Sequence, residues 1–175
     1  GQSADYRTTK GNSLLKATIF RLARGKIPTP KILTDRFKTL KSAEAALVER
    51  YTKQGFTGRE RLKRQRILRW AILQHYEVCR TPLLDVTQSL RIAASFATMG
   101  NGDDRYVFVL GVPNVSGAIT ASSEANLQIV RLSSACPPEA VRPHLQEGYL
   151  LGEYPEIADF EQNAPCSHFE MDFGR

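Results

Sequence analysis

The sequence predicts an α+β domain, and three features of its pattern carry that expectation. Helical periodicity runs through roughly the first 75 residues, short apolar runs bounded by turn residues follow residue 80, and those runs do not alternate regularly with helices. With 175 residues, 42% of them hydrophobic and 24% charged, the chain can bury one ordinary core, and no composition break divides it. The expected architecture is a helical N-terminal half packed on a mostly antiparallel sheet. Residues 1–154 form the expected domain, and residues 155–175 an acidic C-terminal tail packed on it.

The elements follow in order. Ser13 can cap a helix reaching about Arg24, with Leu15, Ile19, Leu22 and Ala23 on one face, ended by Gly25, Pro28 and Pro30. A second helix is predicted from Thr34 to Gln54, with Phe37, Leu40, Leu47, Val48 and Tyr51 as its apolar stripe. A third runs from Gly58 to His75. RTPLLDV, residues 80–86, reads as a turn into a buried strand, and Thr87 stands where the N-cap of the next helix, QSLRIAASFAT, belongs. Ala93, Ala94 and Ala97 make that helix narrow enough for close packing. RYVFVLGVP (105–113), NLQIVRLS (126–133) and EGYLLGEY (147–154) are the predicted strands.

Charge is unevenly spread. From Glu153 onward the chain has six acids and one base, net −5, so residues 1–152 carry the remaining 23 bases and 12 acids, net +11. A basic body attracts polyanions such as DNA or RNA, and the densest run is RERLKRQRILR, with Arg59, Arg61, Lys63, Arg64, Arg66 and Arg69. A solvated helix face is the competing reading of that run. No apolar run approaches the ~20 residues that span a bilayer, and no export signal is present, so no membrane association and a cytoplasmic location are expected. Cys79, Cys136 and Cys166 are an odd set without a CxxC pair, which suits reduced thiols.

Familiar catalytic signatures are absent: there is no GxGxxG, Walker loop, HExxH or GxSxG. His75 and Cys79 with Cys166 and His168 could be drawn as a metal site, but the two halves lie far apart and the second has poor spacing, so no metal is expected. Cys79 paired with His144 or His168 would make a nucleophile; a small buried hydrophobe is the simpler reading.

One stretch is more specific. QHYEVCRTPLLDVT (74–87), followed by a small-residue helix containing SFA, resembles the FRG family pattern QHYG-x-PT-x-LLD-x-T with its helix ending in FA. The beginning of the chain is similar to the family's (F/Y)RGQ and LLP-x-x-FR elements at Gly1, Gln2, Tyr6, Leu14, Leu15, Phe20 and Arg21. Arg142, Gln146, Gly148 and Tyr149 resemble its R-x-x-x-Q-x-G-x-F element. Glu77 replaces the usual Gly, Val86 the usual Trp or Phe, and the family's Phe-Arg pair would precede Gly1.

The resemblance implies a split β-sheet like that of ADP-ribosyltransferases, NAD as substrate, and a toxin or defence effector modifying nucleic acid or protein. A non-catalytic nucleotide- or nucleic-acid-binding module is the alternative. Breaking the ribose–nicotinamide bond generates oxocarbenium-like charge, which a carboxylate or amide oxygen near the 2′-hydroxyl stabilises most in the transition state. Glu147 by chemistry, or Gln146 by motif position, is the implied catalytic residue; on a strand only one of the two would face the site. Gln2, His75, Tyr76, Asp85 and Thr87 are the implied nucleotide-binding residues, with Tyr76 offering its ring to nicotinamide. Asp85 and Thr87 could equally serve as turn and cap residues, and His75 and Tyr76 as helix-boundary residues.

Overall fold

A computed structural model describes residues 6–7, 13–22, 26–99, 105–136, 145–153 and 171–172. Its elements are β1 (Tyr6–Arg7), β2 (Ser13–Leu15), a 3₁₀ turn (Thr18–Phe20), α1 (Pro30–Lys53), α2 (Arg59–Arg64), α3 (Arg66–His75), β3 (Leu84–Thr87), α4 (Leu90–Thr98), β4 (Ile119–Ser122), β5 (Leu127–Arg131), α5 (Leu132–Ala135), β6 (Gly148–Glu153) and β7 (Met171–Asp172). The domain is α+β. Its larger sheet has the order β3-β6-β5-β4 and is antiparallel throughout; β1-β2-β7 form a second antiparallel sheet.

The first predicted helix does not form. Ser13–Leu15 pair with both β1 and β7, and residues 18–20 make a single 3₁₀ turn. Tertiary partners displace the helical ladder here: the Ile19 amide donates to Thr81 O, and the Thr18, Ile19 and Arg21 carbonyls accept from Arg36 or Arg80. Helix α1 starts four residues before the predicted Thr34, because Thr29 caps it through Ile32 N and Pro30 opens it. Proline stops a helix from inside but suits its first position, where the missing N–H costs nothing.

The third predicted helix is broken at Gln65, whose extended backbone separates α2 from α3. Arg69 fills the gap by donating to Leu62 O at 2.9 Å and Lys63 O at 2.8 Å. No Gly or Pro marks this break in the sequence.

Strands β5 and β6 lie within their predicted segments and β3 runs one residue past its own, taking in Thr87, but residues 105–113 form no strand. Val109 there is 90% exposed. The unpredicted β4 occupies the sheet edge beside β5, joined to it by a four-residue turn, and closing so short a loop costs less entropy than recruiting 105–113. Nor is α4 packed closely through its small residues: none of its residues is buried, and Ala94 is exposed.

Two apolar clusters lie on opposite faces of the larger sheet. Ile67, Trp70 and Leu73 of α3 join Ile19, Leu40, Leu83, Val130, Leu132 and Leu150 on one face. Leu84, Leu127, Ile129 and Leu151 form the other, with Leu15, Leu110 and Val115 against them. Across the first face, Gly152 lets Leu83 and Ile67 approach the β6 backbone. A Cβ there would lie 2.6 Å from Leu83 Cδ2 and 3.7 Å from Ile67 Cδ1. Gly152→Ala should therefore overpack the core and destabilise the domain by roughly 1–3 kcal/mol, read as a lower urea midpoint with an unchanged m-value.

Candidate functional site

The polar residues of the 74–87 stretch are organised by Gln74 and Thr81. Thr81 is completely buried; its hydroxyl donates to the Gln74 side-chain carbonyl and accepts from Leu83 N at 3.2 Å. The Gln74 amide nitrogen then donates to Asp85 Oδ2 at 2.7 Å. Asp85 is thus a positioned residue of β3 that receives a side chain from α3, while its own side chain is exposed. Arg21 lies near it: burial lowers the Arg21 guanidinium from its ordinary value, with Tyr6 and Asp85 opposing that shift.

Thr87, two residues further along β3, donates to Gln146 O at 2.9 Å and accepts from Ser89 N at 3.1 Å. It ties the end of β3 to the turn preceding β6, alongside the Thr87–Gly148 strand pair. The N-cap of α4 is Ser89, not Thr87. Gln146 and Glu147 both precede the strand, so strand alternation does not choose between them. Glu147 has φ 46°, a left-handed conformation unusual for a side-chain-bearing residue, and its Oε2 accepts from Gln88 Nε2 at 3.4 Å. Gln88 Oε1 in turn accepts from the Tyr149 hydroxyl at 2.7 Å, and the Arg131 guanidinium lies over the Tyr149 ring.

His75 and Tyr76 stand at the end of α3 with their rings edge-on, centroids 5.2 Å apart. Tyr76 is 59% exposed, which leaves its ring accessible. Tyr51 is close to both Tyr76 and Cys136, and burial raises its phenol from the ordinary value with those two groups adding to the effect. Gln2, Arg142, His144, Cys166 and His168 lie outside the described residues.

The structure therefore joins Asp85 to the Gln74–Thr81 pair and Thr87 to the Gln146–Glu147 turn, on one strand. Sequence reading passed over Gln74, although it stands first in QHY, and over Gln88, for which no motif gives a signal. Cys79 does not suit nucleophilic work: burial raises its thiol from the ordinary value, and nearby Glu44 raises it further. Among the described residues no group of three or more His, Cys, Asp or Glu side chains could hold a metal ion. No helix among them is long and apolar enough to cross a membrane.

The basic run divides in two. Arg69 Nε reaches Glu44 Oε2 at 2.9 Å, Arg66 Nε approaches it at 3.7 Å, and the Trp70 indole donates to Glu44 Oε1 at 2.5 Å, so this end of the run clasps a buried carboxylate between α1 and α3. Arg59, Arg61, Lys63 and Arg64 belong to α2, where Glu60 is the one acid; hydrogen bonding to Lys63 lowers the Glu60 carboxyl from its ordinary value.

The sequence profile of the FRG domain family matches residues 3–105. The chain belongs to the FRG domain family. The match covers the Tyr6–Arg21 region, α1 to α3, β3 and α4, and stops before Gln146. No curated protein and no solved structure matches the chain.

Family membership makes Glu77 intelligible. The FRG pattern described above has Gly at this position, and Glu77 has φ 55°, a conformation that Gly adopts freely and other residues at a cost. Glu77→Gly should raise stability by about 0.5–1 kcal/mol, the relief of strain exceeding the added freedom of the unfolded chain, and an unchanged or lower melting temperature would contradict this. Thr81→Val should act oppositely. It keeps the shape but leaves Leu83 N and the Gln74 carbonyl without their partner, for a loss of roughly 1–3 kcal/mol in urea unfolding.

Proposed function

We propose that this FRG domain is an NAD-dependent ADP-ribosyltransferase-like enzyme with NAD as substrate. The observation that supports this reading best is the Thr87–Gln146 hydrogen bond, with Gln88 on Glu147 beside it. It unites the LLD-x-T element with the Gln-Glu turn, as a site made of separated sequence blocks requires.

In the proposed reaction the bond from ribose C1′ to the nicotinamide nitrogen breaks, and its electron pair leaves with neutral nicotinamide. Positive charge develops at C1′ and the ring oxygen; the Glu147 carboxylate, hydrogen-bonded to the 2′-hydroxyl, stabilises it. An acceptor oxygen or nitrogen then bonds to C1′ and gives its proton to Glu147 or to water. Gln146 suits the role less, because its side-chain amide carries no negative charge and does not take up the proton. The Tyr76 ring can stack on nicotinamide, His75 can donate to a ribose or phosphate oxygen, and Asp85 and Thr87 hold the β3 wall.

A second reading, nucleic-acid binding without transfer, draws on α2, where Arg59, Arg61, Lys63 and Arg64 follow the exposed Phe56. Cations that follow an exposed aromatic residue closely in the chain suit a backbone with stackable bases.

Incubating the full-length protein with labelled NAD and DNA, RNA or lysate should transfer label, and Glu147→Gln should reduce the rate at least a hundredfold without changing the melting temperature. Tyr76→Ala should leave the fold intact and weaken NAD binding. Absence of both NAD binding and transfer would refute the enzymatic reading. Salt-dependent oligonucleotide binding without transfer would favour the second.

A further inference from the structure

Arg36 and Arg80 come from distant parts of the chain and meet over one carbonyl oxygen. Arg36 Nη1 donates to Arg21 O at 2.8 Å and to Ile19 O at 2.5 Å. Arg80 Nη1 donates to the same Arg21 O at 3.3 Å and to Thr18 O at 3.2 Å. Two cations sharing one neutral acceptor repel each other, yet neither forms an ion pair with a carboxylate among the described residues. Burial lowers the Arg36 guanidinium from its ordinary value, and Arg80 beside it lowers it further. Arg80 acts in the same direction on Arg21.

The nearby acid does not balance them. Asp85 opposes the lowering of the Arg21 guanidinium and accepts from Gln74. Each of the two guanidinium groups uses only Nη1 in these contacts, so Nε and Nη2 keep their donors; Arg80 is exposed and Arg36 half-buried. Adjacent guanidinium forks whose charge no carboxylate among the described residues pairs match the oxygens of a phosphate or diphosphate, which accept several donors and neutralise both cations.

We propose that Arg36 and Arg80, bridged by the Arg21 carbonyl, form a binding site for the phosphate oxygens of a nucleotide. The site stands on the arginine geometry alone; only the choice of a dinucleotide diphosphate as the source rests on the NAD reading, and nucleic-acid phosphates share the same chemistry. Isothermal titration of the whole protein with pyrophosphate, ADP-ribose and a single-stranded oligonucleotide tests both points. Arg80→Gln and Arg36→Gln should each weaken pyrophosphate binding at least tenfold, whereas Lys38→Gln, which removes an exposed cation from the same helix, should leave it unchanged. ADP-ribose affinity falling in parallel identifies a dinucleotide as the source; oligonucleotide affinity falling instead identifies nucleic acid.

Arg36 also staples residues 19–21, so Arg36→Gln could lose the fold. In that case Arg80→Gln decides, together with the NMR shifts of the Arg36 and Arg80 Nε–H signals of the unmodified protein on adding pyrophosphate. No pyrophosphate binding, or an equal loss with Lys38→Gln, would overturn the site. Transfer from NAD at full rate and affinity by Arg80→Gln, with oligonucleotide affinity also unchanged, would overturn it while sparing the enzymatic reading. Arginine-dependent pyrophosphate binding without any transfer supports the site and counts against that reading.

Discussion

The completely buried Thr81 commits every polar atom it has, and the fold turns on that fact. Its amide donates to Thr18 Oγ1, its carbonyl accepts from Ile19 N and from the Thr18 hydroxyl, and its own hydroxyl bridges Leu83 N and Gln74. One residue thus holds the 3₁₀ turn, α3 and the approach to β3 in register. Buried polar groups must be paired, so these bonds add only modest net energy when present but cost much when one partner is missing. The arrangement also explains why the QHY and TPLLD elements occur together: Gln74 is the shared partner of Thr81 and Asp85.

A second constraint lies at the crossing of α1 and α3. Glu44 is buried there and is held by Arg69 and the Trp70 indole, with Arg66 close by. A buried carboxylate is tolerable only with such donors around it. Two arginines of an apparently uniform basic run are therefore internal connectors, and Arg69 additionally closes the backbone gap between α2 and α3. The same economy recurs at residues 18–21, where Arg36 and Arg80 take up carbonyls that a regular helix would have satisfied by itself. This part of the fold replaces secondary-structure hydrogen bonds with guanidinium groups, and positive charge gathers there as a result.

Backbone conformation also marks the loops near β3 and β6. Glu77 and Glu147 both adopt left-handed geometry, one just after α3 and the other just before β6. At Glu77 a residue with a side chain occupies a position where the resemblance to the QHYG pattern leads one to expect glycine. At Glu147 the conformation belongs to the turn that Thr87 holds through Gln146 O, so the carboxylate is presented by a strained loop anchored on a strand. Strain of this kind persists only where its surroundings enforce it.

By itself the sequence determined the α+β class, the amphipathic bodies of the long helices, the strand segments at 84–86, 127–131 and 148–153, and the family, since these depend on local periodicity and on motif residues adjacent in the chain. It also pointed to Asp85, Thr87, Gln146 and Glu147. It did not show that Gln146 and Glu147 form a turn rather than a strand, nor that Gln74 and Gln88 hold the acids in place. The segment at 13–22 has helical spacing and 105–113 has strand spacing, yet neither forms that element, because partners distant in the chain or an adjacent competing hairpin satisfy the backbone better. Tertiary structure alone decided which arginines face one another and which clasp Glu44. Long, flexible cationic side chains carry almost no local signal of direction, and their partners lie up to 62 residues away along the chain.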